Sequence, residues 1–173
     1  MINDSFSDKT VSVDGTDYQI RNQTPFWKGW YSHKFLGPGV RYEMALVITT
    51  GYIVWINGPF PCSCADITIF RMGLKSLLYE AGEKAEADRG YRGEKNTISL
   101  PSDDVITWKD KWQKNKIRSR HETVNTRLKN WNCLGNKFRH DIRKHSCVFR
   151  AVAVLTQLSM QYGGRPLFKI ETK

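Results

Sequence analysis

Long apolar runs are missing from this sequence. The longest uncharged apolar run, Met44 to Phe60, is broken by Thr49-Thr50-Gly51 and again by Asn57-Gly58-Pro59. A membrane-spanning helix needs about 20 apolar residues without such breaks, so no membrane partner is expected. The opening Met1-Ile2-Asn3-Asp4-Ser5 is polar and acidic, and lacks the charged, apolar and small-residue zones of a secretory signal. Cysteine is scarce, with four residues and no disulfide-framework spacing. Cys62-Ser63-Cys64 is too tight for a zinc knuckle, and Cys133, His140, His145 and Cys147 match no strong zinc pattern. Internal repeats and low-complexity segments are absent too. Acidic residues are few, 17 against 27 lysines and arginines.

What is present fits one folded unit. A chain of 173 residues with 40% hydrophobic and 25% charged side chains is long enough for one well-buried core and short for two. The expectation is a single domain. The net charge of +10 is concentrated: Lys109 to Lys144 holds twelve basic side chains against three acids, a surplus of nine. A solvated helix face usually mixes signs, whereas a surplus so localised is a surface directed at a polyanion. Nucleic acid is the expected partner.

Lys9 to Asp14 reads as a strand, with Gly15-Thr16 turning into a second one over Asp17 to Ile20. Residues 22–39, rich in Trp, Tyr, Gly and Pro, read as an irregular connection. Val40–Thr49 and Tyr52–Ile56 form a hairpin around Thr50-Gly51, and Asn57-Gly58-Pro59-Phe60-Pro61 ends it. Asp66 caps a helix over Ile67 to Tyr79. Lys84 to Asp88 is a short strand, and 89–104 a loop. Val105 to Trp131 is helical, with an interruption near Asn115. Its apolar face carries Ile117, Val124, Leu128 and Trp131, and its neighbouring stripe Glu122, Asn125, Thr126 and Lys129. Gly135-Asn136 stops it. A last helix covers Phe138 to Met160, and Pro166–Ile170 adds a terminal strand. This order predicts an α/β layered fold around a mixed sheet.

Three acids stand in settings that could bring them together. Asp14 and Asp88 end apolar, strand-like runs at glycine-bearing turns, Asp14-Gly15 and Asp88-Arg89-Gly90, while Glu122 rides the basic helix. Carboxylates cut off from cationic partners repel at short range, so gathering them calls for a divalent cation. As structural alternatives, Asp before Gly also marks turns, and Glu122 could pair with nearby arginines on a surface. Asp66 reads more simply as a helix cap, and Asp17 as an exposed strand residue.

Five segments occur in an order that resembles the DDE-superfamily endonuclease domain of Harbinger-type transposases. They are Val13-Asp14-Gly15-Thr16, Tyr31-Ser32-His33-Lys34, Gly58-Pro59-Phe60 followed by Ala65-Asp66-Ile67, Ala87-Asp88-Arg89-Gly90-Tyr91, and Arg120-His121-Glu122 with Lys129 beyond. The resemblance covers roughly residues 10–170. It implies a ribonuclease-H-like fold, a mixed five-stranded sheet flanked by helices. It implies that Asp14, Asp88 and Glu122 are a catalytic triad holding two Mg2+ or Mn2+ ions for DNA cleavage and strand transfer. A complete transposase of this kind has a helical DNA-binding region upstream, so terminus recognition falls to a longer chain or to an accessory protein. The resemblance also implies the nucleus, and admits a homo-oligomer.

Around that triad Lys129 is placed to touch a phosphate near the cut, and Lys34, Lys116, Arg118, Arg120 and Arg127 to contact the nucleic-acid backbone. Asp66 could be a further ligand and His121 could assist proton transfer, though a histidine on a basic helix is more often exposed. Trp108 and Trp112 could stack on unpaired bases, while Trp131, on the apolar face, reads as core. Two competing readings remain: a domesticated or truncated transposase-derived protein that binds DNA or a partner without cutting, and a basic RNA-binding or structural protein whose acids are incidental.

Overall fold

The computed structural model describes residues 9–101, 107–164, 166–168 and 170. Its centre is one mixed sheet built on the longest β-forming segments of the chain. Strand β1 (Lys9–Gln19) runs antiparallel to β3 (Gly37–Val47), which runs antiparallel to β4 (Ile53–Pro61). On the other side β1 pairs in parallel with β5 (Lys84–Glu86), and β5 with β6 (Ile98–Ser99). A two-residue strand, β2 (Tyr31–Ser32), shares with β4 the outer flank of β3. The sheet thus has six strands in five positions, not the five strands expected; part of the supposed irregular connection pairs with Gly37-Pro38, and part of the supposed 89–104 loop forms β6. A mixed α/β sheet of this order is consistent with a ribonuclease-H-like fold.

Alternation along the strands divides the core in two. Tyr18, Ile20, Val40, Tyr42, Met44 and Leu46 face α3 (Trp108–Lys129) and α5 (His145–Tyr162), meeting Val124, Leu128, Phe149 and Val152. Val13, Ala45, Ala85 and Ala87 face the other way, onto Phe70 of α1 (Asp66–Arg71) and Leu74 and Leu78 of α2 (Leu74–Ala81). The sheet lies between two helical layers. No helix among the described residues is long and apolar enough to cross a membrane.

Several sequence expectations are corrected. Asp14 does not end a strand: β1 runs straight through Gly15-Thr16, held by pairing of Asp14 with Met44 and of Gly15 with Glu43. The hairpin around Thr50-Gly51 forms, but β4 continues through Asn57-Gly58-Pro59, where a register shift opposite Arg41–Glu43 absorbs the extra residues. The helix expected over 67–79 is two helices parted at Met72-Gly73, glycine being a poor helix former. Asp66 is not its cap; Ala65 is, with no side-chain hydrogen bond.

Helix α3 is continuous past Asn115, and starts at a capping box in which Thr107 and Asp110 bond each other's backbone amides. It ends at Lys129 and not at Gly135, because Trp131 turns extended before a short helix, α4 (Asn132–Gly135). Helix α5 begins at His145, since Phe138 gives its backbone to a parallel bridge with Ile20. The segment from Pro166 forms no strand among its described residues, although the Ile170 amide bonds the Thr49 carbonyl. The stretch 89–104, expected to be a loop, instead holds a 3-10 turn and strand β6; its residues 102–104 and the start of the Val105 helix lie outside the described residues.

Candidate active site

Asp14, Asp88 and Glu122 line a single cavity of about 100 Å³ between α3, the middle of β1 and the end of β5. Asp14 stands within β1 and accepts from the Gly15 amide at 2.9 Å. Asp88 lies two residues past the end of β5 and caps a 3-10 turn, Arg89–Tyr91, accepting from the Gly90 amide at 2.8 Å. Glu122 sits on the exposed flank of α3. Burial pushes the Asp14 carboxyl up to about 6, Asp88 and Asp66 add to the rise, and the Gly15 hydrogen bond and the Lys34 charge oppose it.

Asp66 reaches this neighbourhood from the other side of β1. Arg41 Nη1 donates to its Oδ1 at 3.1 Å, and the same guanidinium donates through Nε to Asp17 Oδ1 at 2.8 Å. A Cβ at Gly15 would lie 2.5 Å from Asp66 Oδ1, and one at Gly90 would lie 3.0 Å from Oδ2. The glycines that follow the two strand acids are therefore spaces into which Asp66 fits. Asp17, bonded by Arg41 and by Ser32 at 3.0 Å, is buried and not exposed.

The donor set suits a hard divalent cation. The three carboxylates offer oxygen only, and burial together with Asp88 and Asp66 works against the ionised form of Asp14, an imbalance that a nearby cation would reverse. Among the described residues no three His, Cys, Asp or Glu side chains form a ready-made cage. The acids line one cavity without converging on one point.

The basic candidates divide. Arg118 is exposed on the cavity wall, and exposed Lys34 is close enough for its charge to act on Asp14. Lys116 lies 3.5 Å over the Trp112 ring. Lys129 is half-buried, 5.2 Å from the Tyr18 ring, and burial with the Lys34 charge holds its ammonium below the usual lysine range. Arg127 lines a separate cavity of about 230 Å³ beside Trp131 and Thr156.

Arg120 overturns its expected place on the nucleic-acid backbone. It is 1% exposed, and its guanidinium donates to the carbonyls of Ile48, Thr49 and Phe168. His121 is likewise no surface residue: it is buried, Nε2 stands 2.9 Å from Ser12 Oγ, and burial pushes it down to about 4. Trp131, expected in the core, is 42% exposed because α3 stops before it. Trp108 and Trp112 are exposed, and His33 lies edge-on to Tyr31.

Sequence reasoning missed Ser12, Glu86 and Lys114, all on the cavity wall. Lys114 Nζ is 3.2 Å from Glu86 Oε1 and donates to the Leu100 carbonyl at 2.7 Å. The available signal was the period of a strand: Ser12 and Glu86 each precede a strand acid by two residues and so share its side.

Against known proteins, a family model described as DDE superfamily endonuclease matches residues 13–157. No curated protein and no solved structure matches the chain.

Proposed function

The chain belongs to the DDE superfamily of endonucleases, and from that premise we propose that it is the catalytic domain of a Harbinger-type transposase, cutting DNA at the cavity between β1, β5 and α3. The observation that carries this reading is that Asp14, Asp88 and Glu122, from three separate parts of the chain, line one cavity. The raised Asp14 carboxyl supports it, because a site whose own charges repel is completed by a cation.

Asp14, Asp88 and Glu122 would hold Mg2+ or Mn2+ through carboxylate oxygens. Two such ions, when bound, make a nucleophile of water or a 3′-hydroxyl and stabilise the departing oxygen of an in-line displacement. The protein's own part is placement. Arg118 on the cavity wall and exposed Lys34, near enough for its charge to act on Asp14, offer cationic heads for the phosphates near the cut. No side-chain nucleophile is needed. Recognition of element ends by an accessory DNA-binding protein, assembly with a second copy, and action in the nucleus belong to the same proposal.

The deciding experiment is nicking of an end-labelled duplex with Mg2+ or Mn2+, wild type against Glu122→Gln. The proposal expects metal-dependent nicks from wild type and a loss of about three orders of magnitude in the variant, roughly 4 kcal/mol of barrier. Equal nicking by both would remove Glu122 from the chemistry. A protein that retards DNA without cutting it in either metal would instead be the DNA-binding relic.

A further inference from the structure

Helix α3 meets the sheet along a stripe of Lys114, Ile117, His121, Val124 and Leu128, all buried. The spacing of three, four, three and four residues is that of one helical face, yet two of its five positions carry polar heads. Each head ends on a strand that bears an acid. Lys114 Nζ is 3.2 Å from Glu86 Oε1 on β5, two residues before Asp88. His121 Nε2 is 2.9 Å from Ser12 Oγ on β1, two residues before Asp14. Val13 and Ala87, in between, turn to the opposite core. Ser12, Glu86, Asp14 and Asp88 therefore share the side that faces α3, and all four line the cavity with Lys114 and His121.

We infer that Lys114 and His121 are positioning residues: the Lys114–Glu86 ion pair and the His121–Ser12 hydrogen bond together set where Glu122 stands over Asp14 and Asp88. The inference rests on the endonuclease reading of this cavity and adds to it the device that adjusts its third acid.

Apolar contact is non-directional, so a helix held by leucines and valines alone can slide or roll by a fraction of a side chain. A hydrogen bond or ion pair has a preferred length and angle. Two of them, seven residues apart, span about 10 Å of helix. They end on neighbouring strands about 4.8 Å apart. Two fixed points on different strands remove both the sliding and the rolling freedom of a rigid rod. Glu122 follows His121 directly, so its Cα moves with that anchor. Lys114 also donates to the Leu100 carbonyl at 2.7 Å, and Lys9 Nζ lies 4.0 Å from Glu86, so the β5 anchor is part of a wider buried ionic group. Removing one charge of a buried pair strands its partner. Lys9 stays beside Glu86 when Lys114 is replaced, so Lys114→Met alone removes the anchor without leaving that carboxylate unpartnered.

The test uses the full chain in four forms: wild type, Lys114→Met, His121→Leu, and Val124→Ala, which loosens the same helix without touching a polar anchor. Mn2+ binding is followed by electron paramagnetic resonance, and nicking of a labelled duplex gives kcat and KM. The anchor variants are expected to need at least tenfold more Mn2+ for half-saturation. Their kcat should fall about 10- to 100-fold, the usual cost of losing a group behind a metal ligand, with KM for DNA within twofold. His121→Gln, which keeps a donor for Ser12, should recover most of the loss. If Val124→Ala, at an equal drop in Tm, shifts the Mn2+ response as far as the anchor variants do, or if those variants bind Mn2+ as wild type does, the inference is overturned.

A wild type that neither binds Mn2+ nor nicks would sink the endonuclease reading instead. The anchors are then judged without metal, by the distance between spin labels at exposed Thr126 and Asn96, with Cys64, Cys133 and Cys147 replaced by serine. A distribution shifted or broadened in the anchor variants and not in Val124→Ala upholds them as what places α3. An unchanged distribution refutes that.

Discussion

The strand-borne and helix-borne acids are held by different kinds of bond. Asp14 and Asp88 are carried by main chain: β1 is laddered to β3 along its length, and Asp88 follows a strand set between β1 and β6. Glu122 has no such ladder to the sheet. Its helix is fixed from outside by side chains, namely Lys114 to Glu86, His121 to Ser12, and Arg120 to the carbonyls of Ile48, Thr49 and Phe168. Backbone pairing is indifferent to which side chain a strand carries, whereas side-chain anchoring is lost with one substitution. Two of the three acids are thus robustly placed, and the third depends on polar groups scattered through the chain.

The sharpest way to break that contrast is to neutralise the acids one at a time. Asp14→Asn, Asp88→Asn and Glu122→Gln should each lower nicking by about three orders of magnitude. In thermal melts without metal they should part company: Asp14→Asn raises Tm at neutral pH because a buried, repelled charge is gone, while exposed Glu122→Gln leaves it unchanged. A fall in Tm for Asp14→Asn would contradict the crowding of charge around it.

Arg120→Ala probes the helix side. A buried guanidinium serving three carbonyls should cost about 3 kcal/mol, or roughly 6–12 °C in Tm for a chain of this size. The salt dependence of DNA binding should stay as it was.

The pH dependence of stability probes the strand side. The folded carboxyl of Asp14, at about 6, lies above its ordinary value of 3.8, so the native state holds the proton more tightly than the unfolded chain does. Stability from this group is present below the unfolded value and declines as pH rises from about 4 to 6. The loss is of order 3 kcal/mol when complete. Glu43, pushed up to about 7 chiefly by burial, tilts the same way. Divalent cation should restore stability more at pH 7 than at pH 5, and Asp14→Asn should abolish that difference, as read from Tm with and without Mn2+.

The smallest effect belongs to Arg118→Ala. An exposed cation on the cavity wall should weaken DNA binding about evenly across sequences and reduce the logarithmic salt slope by about one. An unchanged slope would mean that DNA avoids this flank.

What could be read from the residues follows from how local each signal is. The hairpin around Gly51, the strand before Asp88 and the basic helix rest on near neighbours, and each was visible in the pattern. Asp14-Gly15 misled because that dipeptide usually marks a turn, whereas here glycine makes room for a carboxylate far along the chain. Phe138 looked like the start of a helix, and only its bridge to Ile20 shows otherwise. Lys114, Arg120 and His121 were hardest of all. Lys114 and Arg120 counted towards a nucleic-acid surface and His121 read as exposed, and the Glu86, Ser12 and carbonyl partners that draw them inward are remote in sequence.

The fit of Asp66 against Gly15 ties two choices into one. A methyl group at position 15 would evict the carboxylate that Arg41 holds, and a shorter residue at position 66 would leave a hole beside a bare strand. Related chains should therefore exchange these two positions together or keep both, so that covariation between them, far apart in sequence, becomes a fingerprint of this arrangement.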